Sequence, residues 1–566
     1  MSSIKPFYPS DPLLKFEFLI DGVNTGLDNL LKEATINFEL NKIPFAKFTF
    51  ISSQQTTDTK EKLPADSLTK KSDEEPTKLE FKVFFENKSE TLFKGIIKSL
   101  EKQIDNNQIV TKIECKDIGF KLTLPVKIEE NNKDKFEDKL KTYTSGLKLQ
   151  LSENLTGKPW GEEIITHNSS TVPWDYLIGF LDAVGMMTAL RNGLFTGIDI
   201  SKKEEPKYAA ENGINVFSFS GKKDPEKVKT SVTIETWDIE KQALEKTNTE
   251  KTESDPKTPV NELIIKFNQN TLQPSTLKTI VDSVKEKSNI AFLYGKVMTF
   301  GNLKAKAGDY IIFSKINDDV NDKSFLITQE VHTIENGCWR TEFTFGLESE
   351  KSFTENTTGG VNNSQTQIGQ SNSVNGLQIG IVTQIEEDPE KQFRIKVRMP
   401  VLSEKGEGVW ARLATLNASK DMGSYFIPNV NDEVIVGCLG NNPDTPVIIG
   451  SVYSSTNTIP FQIAKENYLK GFVTKEGTKI VIDDEKKSIE LSTKKGNKFT
   501  ISDDLKGIVL EDENKNKIVM NDKGITIESC KDFKVKATGN IKLEGMQIAV
   551  ESSAVMELKG SIIKLN

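Results

Sequence analysis

Three observations predict a mainly β fold: a 19-residue repeat near the end of the chain, period-2 alternation over most of the rest, and only two stretches with clear helical periodicity. The expected architecture is two barrel domains carrying a few helices, a small closed barrel of the OB type, and a C-terminal β-helix wound from three identical chains.

Residues 1–125 are read as the first barrel. Leu14 to Ile20 runs into the turn Asp21-Gly22, and alternating apolar residues mark strands at 34–40, 46–51, 79–85, 91–97 and 109–115. Between them, 54–77 is polar and rich in Lys, Asp, Ser and Thr, the composition of a long solvated loop. Residues 126–356 are read as a second barrel with helices. Trp174, Leu177, Ile178, Leu181 and Val184 follow helical spacing, with Thr171 as cap, Pro173 in the first turn and Gly185 at the end. Leu277, Ile280, Val281 and Val284 give a second helix over 275–287. Strands are expected at 216–219, 231–237, 290–299, 309–313, 324–334 and 339–345, and a polar loop at 245–258.

Residues 357–376 have linker composition and mark the sharpest boundary. After them, 377–455 holds six short candidate strands, at 380–382, 393–399, 409–413, 423–427, 433–438 and 447–449, the rhythm of an OB barrel. A connector, 456–476, leads to the repeat, 477–566.

In the repeat, Ile480, Phe499 and Ile518 each open a strand triplet, and Asp484, Asp503 and Asp522 follow. Second strands begin at Ile489, Ile508 and Ile525, after Ser488, Gly507 and Gly524. Beyond Cys530 the beat shortens, with apolar positions at Val535, Ile541-Leu543, Ile548-Val550, Met556-Leu558 and Ile563-Leu565. Short strands with open edges do not persist alone. A single-chain solenoid would keep one period and end in a cap. Here the period changes and the array stops at Leu565-Asn566, so three chains sharing one β-prism is the preferred arrangement.

Across 566 residues the net charge is −8, which leaves no phosphate-neutralising surface and argues against nucleic acid as a partner. Cys115, Cys338, Cys438 and Cys530 lie far apart, without a CxxC pair, so neither a disulfide framework nor a zinc ribbon is expected. The first residues lack the apolar core of a signal peptide, and no apolar run is long enough to span a bilayer. Assembly in the cytoplasm is expected, followed by ejection or carriage on an extracellular particle.

The 377–453 unit resembles the OB domain of the VgrG family, the spikes of type VI secretion and related contractile injection systems. Phe393-Arg394-Ile395-Lys396-Val397 sits where that family has Gly-Arg-Val-Lys-Val. Phe426-Ile427-Pro428 and Asp432-Glu433-Val434-Ile435-Val436 match its FIP…GxEVIV segment, and Asn442 to Tyr453 matches its DPDRPIITGRVYN turn and strand. Trp174 to Met186 is similar to its DWDFL…ExxGM helix, Gly308-Asp309 to its KPGD turn, and Thr341 to Leu347 to its TExxFGL strand. The resemblance implies a homotrimeric hub of two barrels per chain, an OB collar and a triple-stranded β-helix needle. It also implies inner-tube and baseplate partners, carried effector proteins and transient contact with a target membrane. A tip protein of the PAAR type would sit on Ser561, Ile562, Ile563, Lys564, Leu565 and Asn566.

Catalytic, metal and cofactor sites are not expected. The histidines, His167 and His332, have no Cys or Ser at triad spacing, and no HExxH, GxSxG or P-loop occurs. The acid pairs Asp318-Asp319, Glu386-Glu387, Asp483-Asp484 and Asp503-Asp504 fit turns, and Trp174 and Trp410 fit a core. Arg394, Lys396, Arg398 and Arg412 fit the outward face of a barrel. A cell-wall glycan hydrolase sited in 126–350 and an adhesin with a β-solenoid stalk are the competing functions.

Overall fold

The structure, a computed structural model, describes residues 4–7, 14–53, 76–85, 88–105, 108–125, 135–163, 172–249, 261–267, 272–353, 374, 376–400 and 406–564. The chain divides into two units, Met1–Val452 and Tyr453–Asn566. Most of the polar stretches expected at 54–77, 245–258 and 357–376, together with His167 and the Thr171 cap, lie outside the described residues.

In the first unit a 13-stranded sheet runs through both expected barrels without a break. Strands Phe16–Ile20, Leu31–Glu39, Phe45–Ser53, Lys78–Phe85, Lys88–Asp105 and Gln108–Lys116 supply the first half. Val216–Lys223, Leu293–Phe300, Tyr310–Ser314, Ser324–Glu335 and Cys338–Phe345 supply most of the second. The halves join where Leu31–Glu39 pairs antiparallel with Ser324–Glu335, setting Ile36 opposite His332. Alternation puts one face of each strand inward, so each half keeps its own core. Phe18, Phe48, Phe50 and Phe81 form the first, and Tyr208, Phe313, Phe343 and Phe345 belong to the second.

Three α-helices are described: α1 (Phe136–Gly146), α2 (Pro173–Ala183) and α3 (Pro274–Ile290). α2 carries the expected stripe, with Pro173 at its first position, and buries Tyr176 and Phe180 on its other faces as well. Gly185 (φ 79°) turns the chain out of the helix in a conformation that a side chain would strain. α1 departs from expectation; its charged and hydroxyl residues mask the buried Phe136, Leu140 and Tyr143. Residues 245–248, the start of the loop expected at 245–258, belong to a strand instead, because Ala243–Asn248 pairs with Ser231–Asp238, which also pairs with Glu262–Phe267. The hairpin Met186–Arg191/Leu194–Asp199 was likewise not anticipated.

The closed barrel is present, with five strands: Leu377–Gln384, Ile395–Arg398, Val409–Leu413, Glu433–Cys438 and Pro446–Ser451. It encloses Val382, Ile395, Val397, Ala411, Val434, Val436 and Ile448. The sixth expected strand, 423–427, is absent. Only Met422–Gly423 pairs, with Ala418–Ser419, and the ring is already closed without it.

The second unit contains a seven-stranded antiparallel meander. Its first strand, Leu469–Val473, pairs with Lys479–Asp483, so the ladder extends back into the expected connector.

Candidate functional site: the apolar face of the repeat

The meander strands Lys479–Asp483, Ser488–Ser492, Lys498–Ser502, Gly507–Glu511, Lys517–Asn521 and Gly524–Glu528 are each five residues long, with apolar side chains at their second and fourth positions. Register therefore decides which faces these residues line. Ile480, Leu491, Phe499, Leu510, Ile518 and Ile527 lie opposite one another in one cross-strand row. Ile482, Ile489, Ile501, Ile508, Met520 and Ile525 make the next row on the same face. The other face carries Val481, Glu490, Thr500, Val509, Val519 and Thr526, with Lys498 paired to Glu490 at 2.6 Å.

Every side chain in the two apolar rows is half-buried or exposed; Ile480, Leu491, Ile501 and Leu510 keep 41–42% of their surface in contact with solvent. An amphipathic sheet holding that much aliphatic surface in water is an unfinished core. Full burial contributes about 1.5–3 kcal/mol for each Ile or Leu.

In the turns, carboxylates hold the backbone. Asp483 accepts the backbone N–H groups of Glu485 and Lys486, and Lys487 takes φ 44°. Asp512 does the same for Asn514 and Asn516, and the Asn516 side-chain amide holds its carboxyl below the ordinary carboxylate range. These carboxylates shape hairpins. The final hairpin has the two-residue turn Asp522-Lys523, with Gly524 at φ 119°, so the 19-residue period shortens there.

After Glu528 no strand is formed among the described residues. The strands expected at Val535, Ile541, Ile548 and Met556 are not formed, because a strand needs a ladder partner and this stretch pairs with no other strand among the described residues. Apolar pairs two residues apart persist: Phe533 and Val535, Ile541 and Leu543, Ile548 and Val550, Met556 and Leu558, all between 49% and 71% exposed. A groove of about 720 Å³, lined in part by Leu510, Ile518, Ile527 and Phe533, lies where the ladder gives way to this segment. Of the expected tip residues, Ser561, Ile562, Ile563 and Lys564 are exposed, while Leu565 and Asn566 lie outside the described residues.

His332 lies in the core of the hub sheet. His332 is fully buried and accepts the Trp339 indole N–H on Nδ1 at 3.3 Å, which leaves Nε2 to donate to Glu330 at 2.5 Å. Arg191 pairs with the other Glu330 oxygen and lies 3.6 Å from the Phe38 ring centroid. Burial alone would raise the Glu330 pKa, but the Arg191 charge and the His332 contact hold it at about 2. Asp318-Asp319 and Glu386-Glu387 fall in turns and bends, and no group of three or more metal-type ligands occurs among the described residues. Trp174 is buried as expected, whereas Trp410 is half-buried. The outward-facing reading of the barrel cations is corrected at two positions. Lys396 is buried and pairs with Glu407 at 2.6 Å, and Arg394 pairs with Asp388 at 2.7 Å.

Comparison with known proteins bears on each region. Residues 10–336, more than half of the chain, match the Alg8 N-terminal domain. Residues 378–453 match the type VI secretion system/phage-baseplate injector OB domain, and 488–556 match the phage baseplate V C-terminal trimerisation domain. The type VI secretion system spike protein VgrG1a of Pseudomonas aeruginosa is 33% identical over 97 residues, 16% of this chain and 15% of that protein. VgrG3 of Vibrio cholerae is 39% identical over 74 residues, 12% of this chain and 7% of that protein. The matched stretches thus span less than a fifth of those relatives. Among solved structures, the half-lidded Francisella PdpA-VgrG complex aligns with a TM-score of 0.54 at 12% identity, covering 91% of this chain and 88% of that one, a likeness of fold.

Proposed function

The chain belongs to the VgrG spike family and to the family of the Alg8 N-terminal domain, and from that premise we propose that three copies form the spike of a contractile injection machine. The observation that carries this reading is the pair of apolar rows on one face of the meander, continued by the unpaired apolar doublets of 529–564. Three such sheets facing inward complete one another's core, and the extended segments find ladder partners in neighbouring chains.

The work is mechanical. The hub, 1–356, seats on an inner tube and the surrounding baseplate and carries effector proteins. The collar passes to a needle that concentrates the force of contraction on a small tip, which punctures the target membrane. Residues Ser561 to Asn566 seat a separate tip protein of the PAAR type through open strand ends. The polypeptide is assembled in the cytoplasm and then ejected or carried on an extracellular particle, and it performs no catalysis.

The mass of the purified full-length chain tests the assembly. Light scattering should give three times the chain mass of 63.2 kDa, and a monomer would overturn the proposal. Removing 561–566 should leave that mass unchanged while abolishing co-purification of a co-expressed PAAR-type tip protein. Undiminished co-purification would place the seat elsewhere.

A further inference from the structure

Register places five strand ends of the closed barrel on one side: those at Gln384, Ile395, Leu413, Glu433 and Ser451. The chain leaves the barrel from this end, where the Val452 N–H bonds to the Glu433 carbonyl. Two loops spring from the same end, 385–394 and 414–432. Between them they present Phe393 at 94% exposure, Leu416 at 96%, Met422 at 66% and Tyr425 at 86%. Large apolar side chains gathered on one end of a small barrel mark an interaction surface.

The first of these loops is held in an unusual shape. Glu387, Lys391 and Phe393 all have left-handed backbone conformations, at φ 62°, 54° and 59°. Asp388 enforces this: its carboxylate accepts the backbone N–H groups of Glu390, Gln392 and Arg394 and binds the Arg394 guanidinium at 2.7 Å. Where the resembling family motif has a glycine, which takes this conformation freely, this chain has a phenylalanine pointing into solvent. Local strain that the surroundings over-determine marks positions whose geometry is used. The second loop is also fixed, by Thr415 Oγ1 donating to the Ser424 carbonyl at 3.0 Å and the Ser424 N–H donating to the Asn417 carbonyl at 2.9 Å.

We infer that this end of the barrel is a collar-to-collar interface, in which Phe393 of one copy docks against the Leu416–Tyr425 loop of the next copy around a three-fold axis. The inference rests on the three-chain reading above. A cyclic trimer needs two different complementary patches on each subunit, and the two loops supply such a pair. The same chain carries, at 488–556, the match to a trimerisation domain, so a further copy of the chain is the occupant at hand. Asp388 is a positioning residue, fixing the anchor before contact.

The test uses the full-length chain with its exposed cysteines replaced, Cys338→Ser and Cys530→Ser. In that background, Phe393→Cys should react with a maleimide at least tenfold more slowly than Ile104→Cys, a side chain 70% exposed on another strand. The pair Phe393→Cys with Leu416→Cys should give covalent trimers on mild oxidation. A three-chain mass with fast labelling and no covalent trimer overturns the collar interface and leaves the spike reading intact. A monomeric mass overturns both.

Discussion

At the scale of single residues, the two most consequential charges are buried and paired. Glu330 joins three hub strands, through Arg191 of Met186–Arg191, through His332 on its own strand, and so to Trp339 and Thr341 of the adjoining one. Asp182, at the end of α2, joins still more of the chain. It binds Lys287 of α3, accepts Asn41 Nδ2 at 2.8 Å, and accepts the Phe353 N–H at 2.7 Å. Removing one member of such a pair leaves a buried charge uncompensated, at a cost of about 3–5 kcal/mol. Glu330→Gln is therefore expected to lower the hub's melting temperature by several degrees, measured by calorimetry at neutral pH. Because the folded pKa lies below the ordinary value of 4.5, the Glu330 contribution is fully present above that pH. It is lost as the pH falls from there towards about 2. The wild-type advantage over Glu330→Gln should shrink across that interval, and an advantage independent of pH would refute the assignment. None of these partnerships was readable from sequence. Arg191 and Glu330 are 139 residues apart, and nothing local to either announces the other.

At the scale of elements, the repeat was the most legible part of the chain and the hub the least. Alternation within a strand and a fixed turn length are local properties, so the meander strands from residue 479 onward follow directly from Ile480, Phe499 and Ile518 and their successors. Leu469–Val473 escaped notice because Lys470 and Gly471 break the pattern, and pairing with Lys479–Asp483 defines the strand. α1 escaped because its apolar positions, Phe136, Leu140 and Tyr143, are sparse among charged and hydroxyl residues, and Ala243–Asn248 because an exposed edge strand is polar. The register yields a sharp contrast between adjacent residues. Ile501→Asp places a charge in the apolar row and should abolish the three-chain mass at micromolar concentration. Thr500→Asp, on the opposite face, should leave it intact. Equal behaviour of the two variants would mean that the inward face has been misassigned.

At the scale of the whole molecule, the proposed three-chain assembly makes folding of the second unit and association one event. On that proposal, a meander with an open apolar face gains its stability from the other copies. The melting temperature of that unit should therefore rise with protein concentration, while that of the hub stays nearly constant. Calorimetry over a hundredfold range of concentration would separate the two, and a repeat transition indifferent to dilution would count against a shared needle. The order of regions was legible because composition changes abruptly at 357–376, whereas the continuity of the hub sheet was not, because strand pairing across distant segments leaves no local trace.

That continuity has a consequence in time. Leu31–Glu39 leaves the ribosome well before Ser324–Glu335, its partner on one side, and Asn37 meets Gln329 across 292 residues. At about 5–20 residues per second, translation leaves that edge open for on the order of 15–60 s. Through that interval a nascent chain carries an unsatisfied strand edge in the midst of its own siblings on the polysome, where mispairing between copies competes with completion. On the spike reading proposed above, the hub must be kept apart while the repeat must be brought together, and synthesis of the hub before the repeat separates the two demands.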